Sequence, residues 1–487
     1  MTSVALQATD GLAVEAPAFF DQLRDRLARG EHLVTFYGRG GDMAGDVLLT
    51  AVFQDGARLR VLRAPVSRER GFPSLTREVP ELHIFEREIY EQCGVAPHGH
   101  PWLKPVRFSG AQLGRTGDYP FYKLGGKEVQ EVGVGPIHAG VIEPGHFRFM
   151  CLGETVHHLE IQLGFQHRGV EAELLKGAPW RLTPLVETVV GDSSVAHAWA
   201  YCSAVEALAD VSVDDADRLS RGIGLELERV AMHLASLAGM CNDIAFLQGA
   251  ASYGRLRTTA INTSMLLCGS RFGRGWLRPG CTRASMPASM LSTIRLNLDR
   301  IRTDVDIVNE LFLRSRSVSH RLQDVGTVAT AEALELGLVG LVARASGVAL
   351  DARAQPGDGP YLAAPITIVT EAAGDCAARA LVRVREIEAS LGWLDAAVGY
   401  GGEIRRTSCA PRALAPSSLA VAICEGWRGE VVHAIETDSA GGLRHYKIQD
   451  PSLRNWFGLA AAVRNNDISD FPICNKSFDL SYCGHDL

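Results

Sequence analysis

Three potential metal ligands lie close together near the carboxyl end of this sequence. Cys474 and Cys483 are the closest pair among the eleven cysteines, and His485 follows two residues later. Thiolate and imidazole groups bind zinc and iron, so this set predicts a mixed metal site. Its spacing matches no common metal motif, and no two cysteines form Cys-x-x-Cys. The alternative is a packed terminal segment with reduced, buried cysteines.

A histidine and a glutamate in one segment predict proton transfer. Residues Gly133–Met150 alternate in the manner of a β hairpin and contain His138 and Glu143. Histidine titrates near neutral pH, and a buried carboxyl group can relay protons once its pKa is raised. The alternative is a hairpin that these side chains hold in place through polar contacts.

Composition and charge narrow the classes of function. The 487 residues carry a net charge of −7 and no strongly basic block, which disfavours a nucleic-acid partner because phosphate binding needs clustered Lys and Arg. Charges interrupt the apolar stretch Thr327–Val348, so we expect no membrane span. No basic start precedes an apolar run, which predicts a cytoplasmic protein. No Gly-x-Gly-x-x-Gly follows a strand, so any NAD chemistry would belong to another chain.

Hydrophobic periodicity predicts an α+β protein in two parts. Residues 1–110 read as a small α/β domain, residues 111–130 as a linker rich in Gly and Pro, and residues 131–487 as a large, mainly helical bundle with β hairpins. In the small domain we predict helices over 19–29 and 81–93 and strands over 32–37, 46–53 and 58–62. In the large domain we predict helices over 154–165, 184–208, 214–245, 288–313, 330–345 and 366–396, and a hairpin over 430–437 and 444–449.

The order of several motifs resembles a known pair of subunits. Phe72–Thr76, Phe85–Tyr90 and Gly99–Pro101 resemble the signature of the 30 kDa subunit of respiratory complex I. The large domain is similar to the 49 kDa subunit and its [NiFe]-hydrogenase relatives. The motifs that carry this similarity are Gly135–His138, Glu143–Arg148, His167–Gly169 with Glu171, Glu228-Arg229 with His233, and the run from Gly429 to Leu487. A fused 30 kDa and 49 kDa pair resembles the large subunit of energy-converting hydrogenases of the formate hydrogenlyase type.

The resemblance also shows what this chain lacks. Hydrogenases of this group hold nickel and iron with four cysteines, because soft sulfur ligands stabilise an electron-rich nickel site. The matching positions here are Val190, Ser193, Ser481 and Gly484. Valine and glycine offer no donor atom, and serine hydroxyls stay protonated near neutral pH. We therefore expect no NiFe centre and no tightly bound cofactor in this chain.

The resemblance implies roles for five residues. Arg168 matches a position beside the terminal iron–sulfur cluster of a small partner subunit, where a cation raises the cluster potential; the alternative is an ion pair with Glu171. His138 and Glu143 match the hairpin that approaches quinone in complex I and the proton path in hydrogenases. His197 follows the first degenerate cysteine motif.

Arg428 aligns with an arginine beside the hydrogenase metal site, with Asp479 or Asp486 as the alternative ion-pair partners. Asp192 and His197 would lie near the Cys474, Cys483 and His485 set if the fold is shared. For Glu228, Arg229 and His233 we favour an interhelical polar network over proton coupling. The tyrosine that complex I places before its counterpart of residues 190–193 has no evident match, which weakens the prediction of a quinone site.

Three functions are compatible with these features. In the first, the chain forms an electron-acceptor pocket, with quinone as a possible acceptor, in a membrane-associated oxidoreductase complex that transports ions. Its expected partners are a small [4Fe-4S] subunit similar to the 20 kDa subunit of complex I, a ferredoxin-like subunit and antiporter-like membrane subunits, on the cytoplasmic face of the membrane. In the second, the chain is a non-catalytic coupling scaffold. In the third, the Cys474, Cys483 and His485 set supports atypical metal chemistry.

Overall fold

The structure is a computed structural model that describes most of the chain. The described residues are 3–8 (backbone), 13–41, 45–56, 58–109, 116–137, 143–354, 359–361, 364–399, 402–407 and 410–487. The predicted functional residue His138 lies outside them.

The amino-terminal part is built on a three-stranded antiparallel sheet, β2-β3-β4, with helices packed on one face. The predicted helices and strands of this part are confirmed. Phe19 and Leu23 of its first helix and Phe85 and Ile89 of its second are buried in one apolar core. Its elements are β1 (Ser3–Ala8), α1 (Ala16–Ala28), β2 (His32–Gly40), β3 (Asp46–Asp55), β4 (Arg58–Ser67), β5 (Phe72–Pro73), α2 (His83–Cys93) and β6 (Pro97–His98).

The remainder of the chain is a helical bundle flanked by two antiparallel sheets. The sheets are β7-β8-β9 and β1-β12-β13-β14. The elements are β7 (Val129–Val134), β8 (His146–Leu152), β9 (Thr155–Gln162), α3 (Val170–Leu174), α4 (Thr183–Val186), α5 (Ser194–Leu208), α6 (Asp215–Asp243), α7 (Leu247–Cys268), β10 (Leu277–Arg278), β11 (Cys281–Thr282), α8 (Ala288–Arg314), α9 (Arg316–Leu322), α10 (Thr330–Glu335), α11 (Gly340–Ala345), α12 (Cys376–Gly399), β12 (Ser418–Glu425), β13 (Glu430–Thr437), β14 (Leu443–Gln449), α13 (Pro451–Ala462), α14 (Phe471–Phe478) and α15 (Tyr482–Asp486).

The two parts share a sheet and an apolar interface. Strand β1 pairs with β12, so the amino end of the chain belongs to the carboxyl-terminal sheet. Val34 and Val52 of the small sheet pack with Leu419, Val421 and Val432 of the larger one. The domain boundaries at residues 110 and 130 stay predictions.

Several predictions for the large domain need correction. The helix predicted over 154–165 is wrong, because this segment is strand β9, which pairs with β8. The spacing of Val156, Leu159 and Leu163 imitates a helix, but a left-handed turn at Gly153 folds the chain back as a hairpin. The helix predicted over 330–345 is interrupted, since Gly337 adopts a positive φ. Helix α7 and strand β12 were not predicted.

Candidate functional site

The four positions predicted to correspond to cysteines in hydrogenases lie where the start of α5 meets the carboxyl-terminal helix α15. Val190 and Gly484 are in contact, since a Cβ atom built on Gly484 would lie 2.9 Å from Val190 Cγ2. Ser481 caps α15, and its Oγ accepts a hydrogen bond of 2.9 Å from the Gly484 N–H. Ser193 is the residue before α5, with its Oγ 3.3 Å from a Cβ atom built on Gly426.

A buried carboxylate stands where a side chain at position 484 would project. A Cβ atom on Gly484 would lie 2.6 Å from Asp450 Cγ, closer than two carbon atoms can approach. Asp450 caps helix α13, because its Oδ1 accepts a hydrogen bond of 2.8 Å from the Ser452 N–H. Burial acts to raise the pKa of Asp450, but the hydrogen bond from His197 and the charge of Arg428 outweigh it and hold that pKa below its ordinary value.

Asp450 is the first member of a buried chain of four hydrogen-bonded side chains. His197 Nε2 lies 3.2 Å from Asp450 Oδ2, and His197 Nδ1 lies 3.1 Å from His433 Nε2. His433 Nδ1 in turn lies 2.8 Å from the Tyr446 hydroxyl. All four side chains are at most 1% exposed. Burial, and then the neighbouring His197, hold the pKa of His433 well below its ordinary value, so His433 is neutral near pH 7.

Arg428 closes the other side of this site. Its guanidinium donates two hydrogen bonds, of 2.7 and 2.9 Å, to the carboxylate of Asp192, which remains partly exposed. The carboxylate that forms the ion pair is thus Asp192 rather than Asp479 or Asp486, the predicted partners. Arg428 contacts Asp479 through its backbone carbonyl, with Nε 2.5 Å from the oxygen. Trp427 lies under the guanidinium at 3.8 Å, and its Nε1 donates to the Asp192 carbonyl at 2.9 Å.

Arg168 lies at the surface beside the same segment. Its guanidinium donates hydrogen bonds of 2.7 and 3.0 Å to the carbonyls of Thr188 and Val189. The predicted alternative, an ion pair with Glu171, is wrong, because Glu171 instead lies 3.1 Å from Lys447. Arg168 thus presents a cation at the surface beside the segment that leads into α5.

Glu143 approaches the site from the β7–β8 connection. Its Oε2 accepts a hydrogen bond of 3.3 Å from the Tyr482 N–H, at the start of α15. Burial of part of the side chain raises the pKa of Glu143, as proton relay requires, although another part remains exposed. The roles predicted for His138 and Glu143 stay predictions.

The structure separates the three residues of the alternative metal set. Cys474 Sγ packs against Gly326, whereas Cys483 Sγ lies 3.3 Å from Ser481 Oγ. His485 Nδ1 lies 2.8 Å from Asp486 Oδ1. Within the described ranges, no group of three or more His, Cys, Asp or Glu residues has an arrangement that could hold a metal ion.

Comparison with known proteins gives two family matches, one in each part of the chain. The family profile described as "Respiratory-chain NADH dehydrogenase, 30 Kd subunit" matches residues 15–110, and that described as "Respiratory-chain NADH dehydrogenase, 49 Kd subunit" matches residues 243–399. This chain fuses 30 kDa-type and 49 kDa-type complex I domains.

Its relatives include hydrogenase and NADH-quinone oxidoreductase subunits. Formate hydrogenlyase subunit 5 of Escherichia coli (strain K12) is 29% identical, over 84% of this chain and 76% of the relative. Hydrogenase-4 component G of the same strain is 29% identical, over 87% and 77%. An NADH-quinone oxidoreductase subunit of Dehalococcoides mccartyi (strain ATCC BAA-2266 / KCTC 15142 / 195) is 28% identical, over 71% and 95%. The chain is thus homologous to formate hydrogenlyase subunit 5 and the large subunits of group 4 hydrogenases.

The residues of this 49 kDa-type domain do not fit a nickel–iron centre. The four positions supply two hydroxyl groups and no thiolate, and hydroxyls do not replace soft sulfur ligands. In addition, the Asp450 carboxylate fills the volume that a side chain at Gly484 would need.

Within the described part of the chain, no helix is long and apolar enough to cross a bilayer.

The predicted polar network on α6 is confirmed and is larger than expected. His233 Nε2 lies 2.8 Å from Glu386 Oε2 on α12. Arg229 donates to the carbonyls of Glu425 and Gly426. Further buried ion pairs join this cluster to α11, β12 and the segment before α12; they involve Glu226, Arg344, Asp351, Arg353 and Glu425.

Sequence reasoning missed three of the four residues in the buried chain. His433 and Tyr446 lie on β13 and β14, and Asp450 caps the next helix, so no short spacing connects them with His197. Alternation places His433 and Ile435 on one face of β13, a weak signal that a histidine points into the core. Pairing of Ile435 with Tyr446 across the hairpin brings the tyrosine beside it.

Proposed function

We propose that this chain is the large subunit of a membrane-associated oxidoreductase complex, in which it carries protons to a reduction site without a nickel–iron centre. The observation that supports this proposal is the buried chain of Asp450, His197, His433 and Tyr446. It begins where the hydrogenase cysteines are replaced and runs into the core between α5 and the carboxyl-terminal sheet.

Each link of this chain can both donate and accept a proton. A neutral imidazole donates from one ring nitrogen and accepts at the other, and a tyrosine hydroxyl does both. A proton delivered to one nitrogen of His433 can leave from the other towards His197, and then to the Asp450 carboxylate. Arg428 adds a positive charge near that carboxylate, which favours its ionised, proton-accepting form between transfers.

The resemblance and the exposed cation suggest where electrons would arrive. We propose that Arg168 faces a small partner subunit with a [4Fe-4S] cluster, where a cation would raise the cluster potential. A ferredoxin-like subunit and antiporter-like membrane subunits would complete the complex, with ion translocation coupled to electron transfer on the cytoplasmic face of the membrane. The acceptor that best fits the relatives named as NADH-quinone oxidoreductase subunits is a quinone near Glu143 and His138.

A second candidate function is a coupling scaffold without redox or proton chemistry. It is favoured by the dense packing of Asp450 against Gly484 and Val190, which leaves no room for a side chain at position 484. The buried charge cluster around Glu386 would then transmit movements between α6, α11 and α12. In this case the hydrogen-bonded chain would serve folding alone.

The test uses the intact complex, purified through a tag on this chain. We would measure nickel, iron and zinc per complex, then supply electrons from reduced methyl viologen and follow reduction of a soluble quinone analogue. Tyr446→Phe removes one hydroxyl from the chain of hydrogen-bonded side chains and keeps the aromatic ring. Tyr201→Phe is the matched control, because Tyr201 is also a buried tyrosine. It donates its hydrogen bond to the Pro179 carbonyl, which does not belong to the hydrogen-bonded chain.

We expect iron without nickel, and a quinone reduction rate at least tenfold lower in Tyr446→Phe than in Tyr201→Phe, with an enlarged solvent deuterium isotope effect. Loss of activity in His138→Ala would support quinone as the acceptor. Equal rates in the two tyrosine variants would contradict proton relay, and absence of acceptor activity in the unaltered complex would favour the scaffold. Nickel near one per complex would overturn the proposal.

A further inference from the structure

Two buried cysteines face each other between helices α12 and α14. Cys376 is the first residue of α12 and Cys474 lies on α14, and both thiols lie beside one buried arginine, Arg379. Cys376 Sγ also lies 3.4 Å from Ser477 Oγ and 3.9 Å from the Ile473 carbonyl oxygen. Both thiols are at most 1% exposed. Neither belongs to the proton chain or to the degenerate metal positions.

A buried arginine lies beside this pair and needs a counter-charge. Arg379 is fully buried, with Nη2 3.4 Å from Cys376 Sγ. Its other hydrogen bonds go to neutral groups, namely the carbonyls of Gly374 and Gly326 and the hydroxyl of Ser477. Among residues that the structure describes, no carboxylate forms an ion pair with Arg379. An unpaired buried charge is costly, so an anionic thiolate on Cys376 would stabilise this arrangement.

Helix geometry and the second thiol favour the same anion. The amino end of a helix carries a partial positive charge, and Cys376 occupies the first position of α12. Burial acts against ionisation, but the hydrogen bond from Cys474 and the charge of Arg379 lower the pKa of Cys376 to about 6. The same coupling raises the pKa of Cys474 well above its ordinary value. The two thiols therefore differ in acidity, and Cys376 is the one that ionises more readily.

We propose that Cys376 and Cys474 form a redox-active dithiol that a small peroxide oxidises to a disulfide. The Cys376 thiolate attacks one peroxide oxygen, the O–O bond breaks, and Cys376 becomes a sulfenic acid as hydroxide leaves. Cys474 Sγ then attacks the Cys376 sulfur, the S–O bond breaks, and hydroxide leaves with the thiol proton as water. One peroxide thus yields one disulfide, one water molecule and one hydroxide, which takes a proton from solvent. An external dithiol returns the pair to its reduced form by exchange.

The cover over the pair suits a small oxidant. Gly326 packs directly on it, since a Cβ atom there would lie 2.4 Å from Cys474 Sγ and 3.1 Å from Arg379 Nη2. Gly326 has a positive φ of 64°, so this turn covers the thiols with backbone rather than with a side chain. A peroxide molecule needs a smaller opening there than a protein oxidant would.

A disulfide at this place would act on the candidate functional site. It would join α12 to α14, and α14 leads through Asp479 to the caps of α15. Lys476 of α14 binds the Asp479 carboxylate at 2.8 Å, and Arg428 donates to the Asp479 carbonyl. Oxidation would therefore fix the carboxyl-terminal segment that packs against Asp450.

The experiment treats the full chain with hydrogen peroxide, blocks free thiols with iodoacetamide in denaturant, and analyses tryptic peptides by mass spectrometry. Peptides 354–379 and 465–476 each contain one cysteine of the pair. We expect a disulfide-linked product of these two peptides that disappears on reduction. We expect Cys474→Ser to abolish the cross-link and to leave a sulfenic acid on Cys376 that dimedone traps. Cys241→Ser is the control, because Cys241 is a buried cysteine on α6 outside the pair.

The result depends on proximity in the folded chain. In folded protein we expect at least ten times more of the 376–474 cross-link than of any cross-link to Cys241. When the protein is unfolded in urea before the oxidant is added, we expect this difference to disappear. A folded protein in which both peptides remain alkylated at peroxide levels that oxidise the exposed methionines would overturn the proposal. A dimedone adduct that forms on Cys474 in the Cys376→Ser variant as fast as the disulfide forms in wild type would also overturn the proposal.

Discussion

Glu228 should make the stability of this protein fall as the pH rises above 6. Its buried carboxyl group accepts hydrogen bonds from the N–H groups of Val195 (2.7 Å) and Ala196 (3.3 Å) at the start of α5. Burial is the main cause that raises the pKa of Glu228 to about 8; the two N–H donors oppose it, and the nearby charge of Asp192 adds to it. Glu228 is therefore mostly protonated in the folded protein at pH 6 and mostly ionised at pH 9.

The size of this change in unfolding free energy follows from the difference between the pKa values of Glu228 in the folded and unfolded states. A raised pKa in the folded state stabilises the fold fully below the unfolded-state pKa of 4.5, and this contribution is lost as the pH rises through 8. Each pH unit below the folded-state pKa corresponds to about 1.4 kcal/mol. At pH 6 the contribution is about 3 kcal/mol, and at pH 9 it has nearly vanished.

The assay compares wild type with Glu228→Gln by infrared spectroscopy and by urea unfolding at pH 6 and pH 9. Wild type should show a carbonyl band of a protonated carboxylic acid at pH 6 that the variant lacks, and should lose about 3 kcal/mol more of its unfolding free energy between the two pH values. Glu226→Gln is the control. The charges of Arg229 and Arg353 outweigh burial and lower the pKa of Glu226, so it is ionised throughout this range. A carbonyl band of unchanged intensity in Glu228→Gln would refute the reasoning.

Three further changes test the surroundings of the site. Gly484→Ala should destabilise the protein by roughly 1–3 kcal/mol in thermal unfolding, because its Cβ would meet a carboxylate carbon at 2.6 Å. Gly254→Ala on α7 is the control and should be neutral or stabilising, because the space around Gly254 is open. Glu88→Gln should reduce the loss of unfolding free energy that occurs as the pH becomes acidic. Burial opposes the effect, but Lys447 lowers the pKa of Glu88 to about 2, so wild type loses about 3 kcal/mol as the pH falls from 4.5 towards 2. Glu386→Gln should cost about 3–5 kcal/mol in chemical unfolding, since it removes one carboxylate charge from a buried cluster of arginines; a loss below 1 kcal/mol would contradict this.

The small domain was predictable because its patterns are local. Alternating apolar residues in Asp46–Asp55, followed by a turn at Gly56, specify a strand and hairpin within one segment. The motifs that carry the resemblance to complex I subunits are also contiguous in the sequence. Helix α7 was missed, although Tyr253, Leu256 and Ala260 are buried at helical spacing, because glycine, serine and threonine interrupt the apolar pattern.

The sequence alone determined the fold class and the fused domains, and it predicts that all four nickel-binding cysteines of hydrogenases are replaced. Residue types at known positions are enough to exclude a thiolate ligand set. The tertiary structure alone decided what replaces it. Asp450, His197 and His433 come from a helix cap, a core helix and a strand, and Cys376 and Cys474 are almost a hundred residues apart in sequence. Hydrogen bonds between such residues depend on how distant segments pack, which no local spacing encodes.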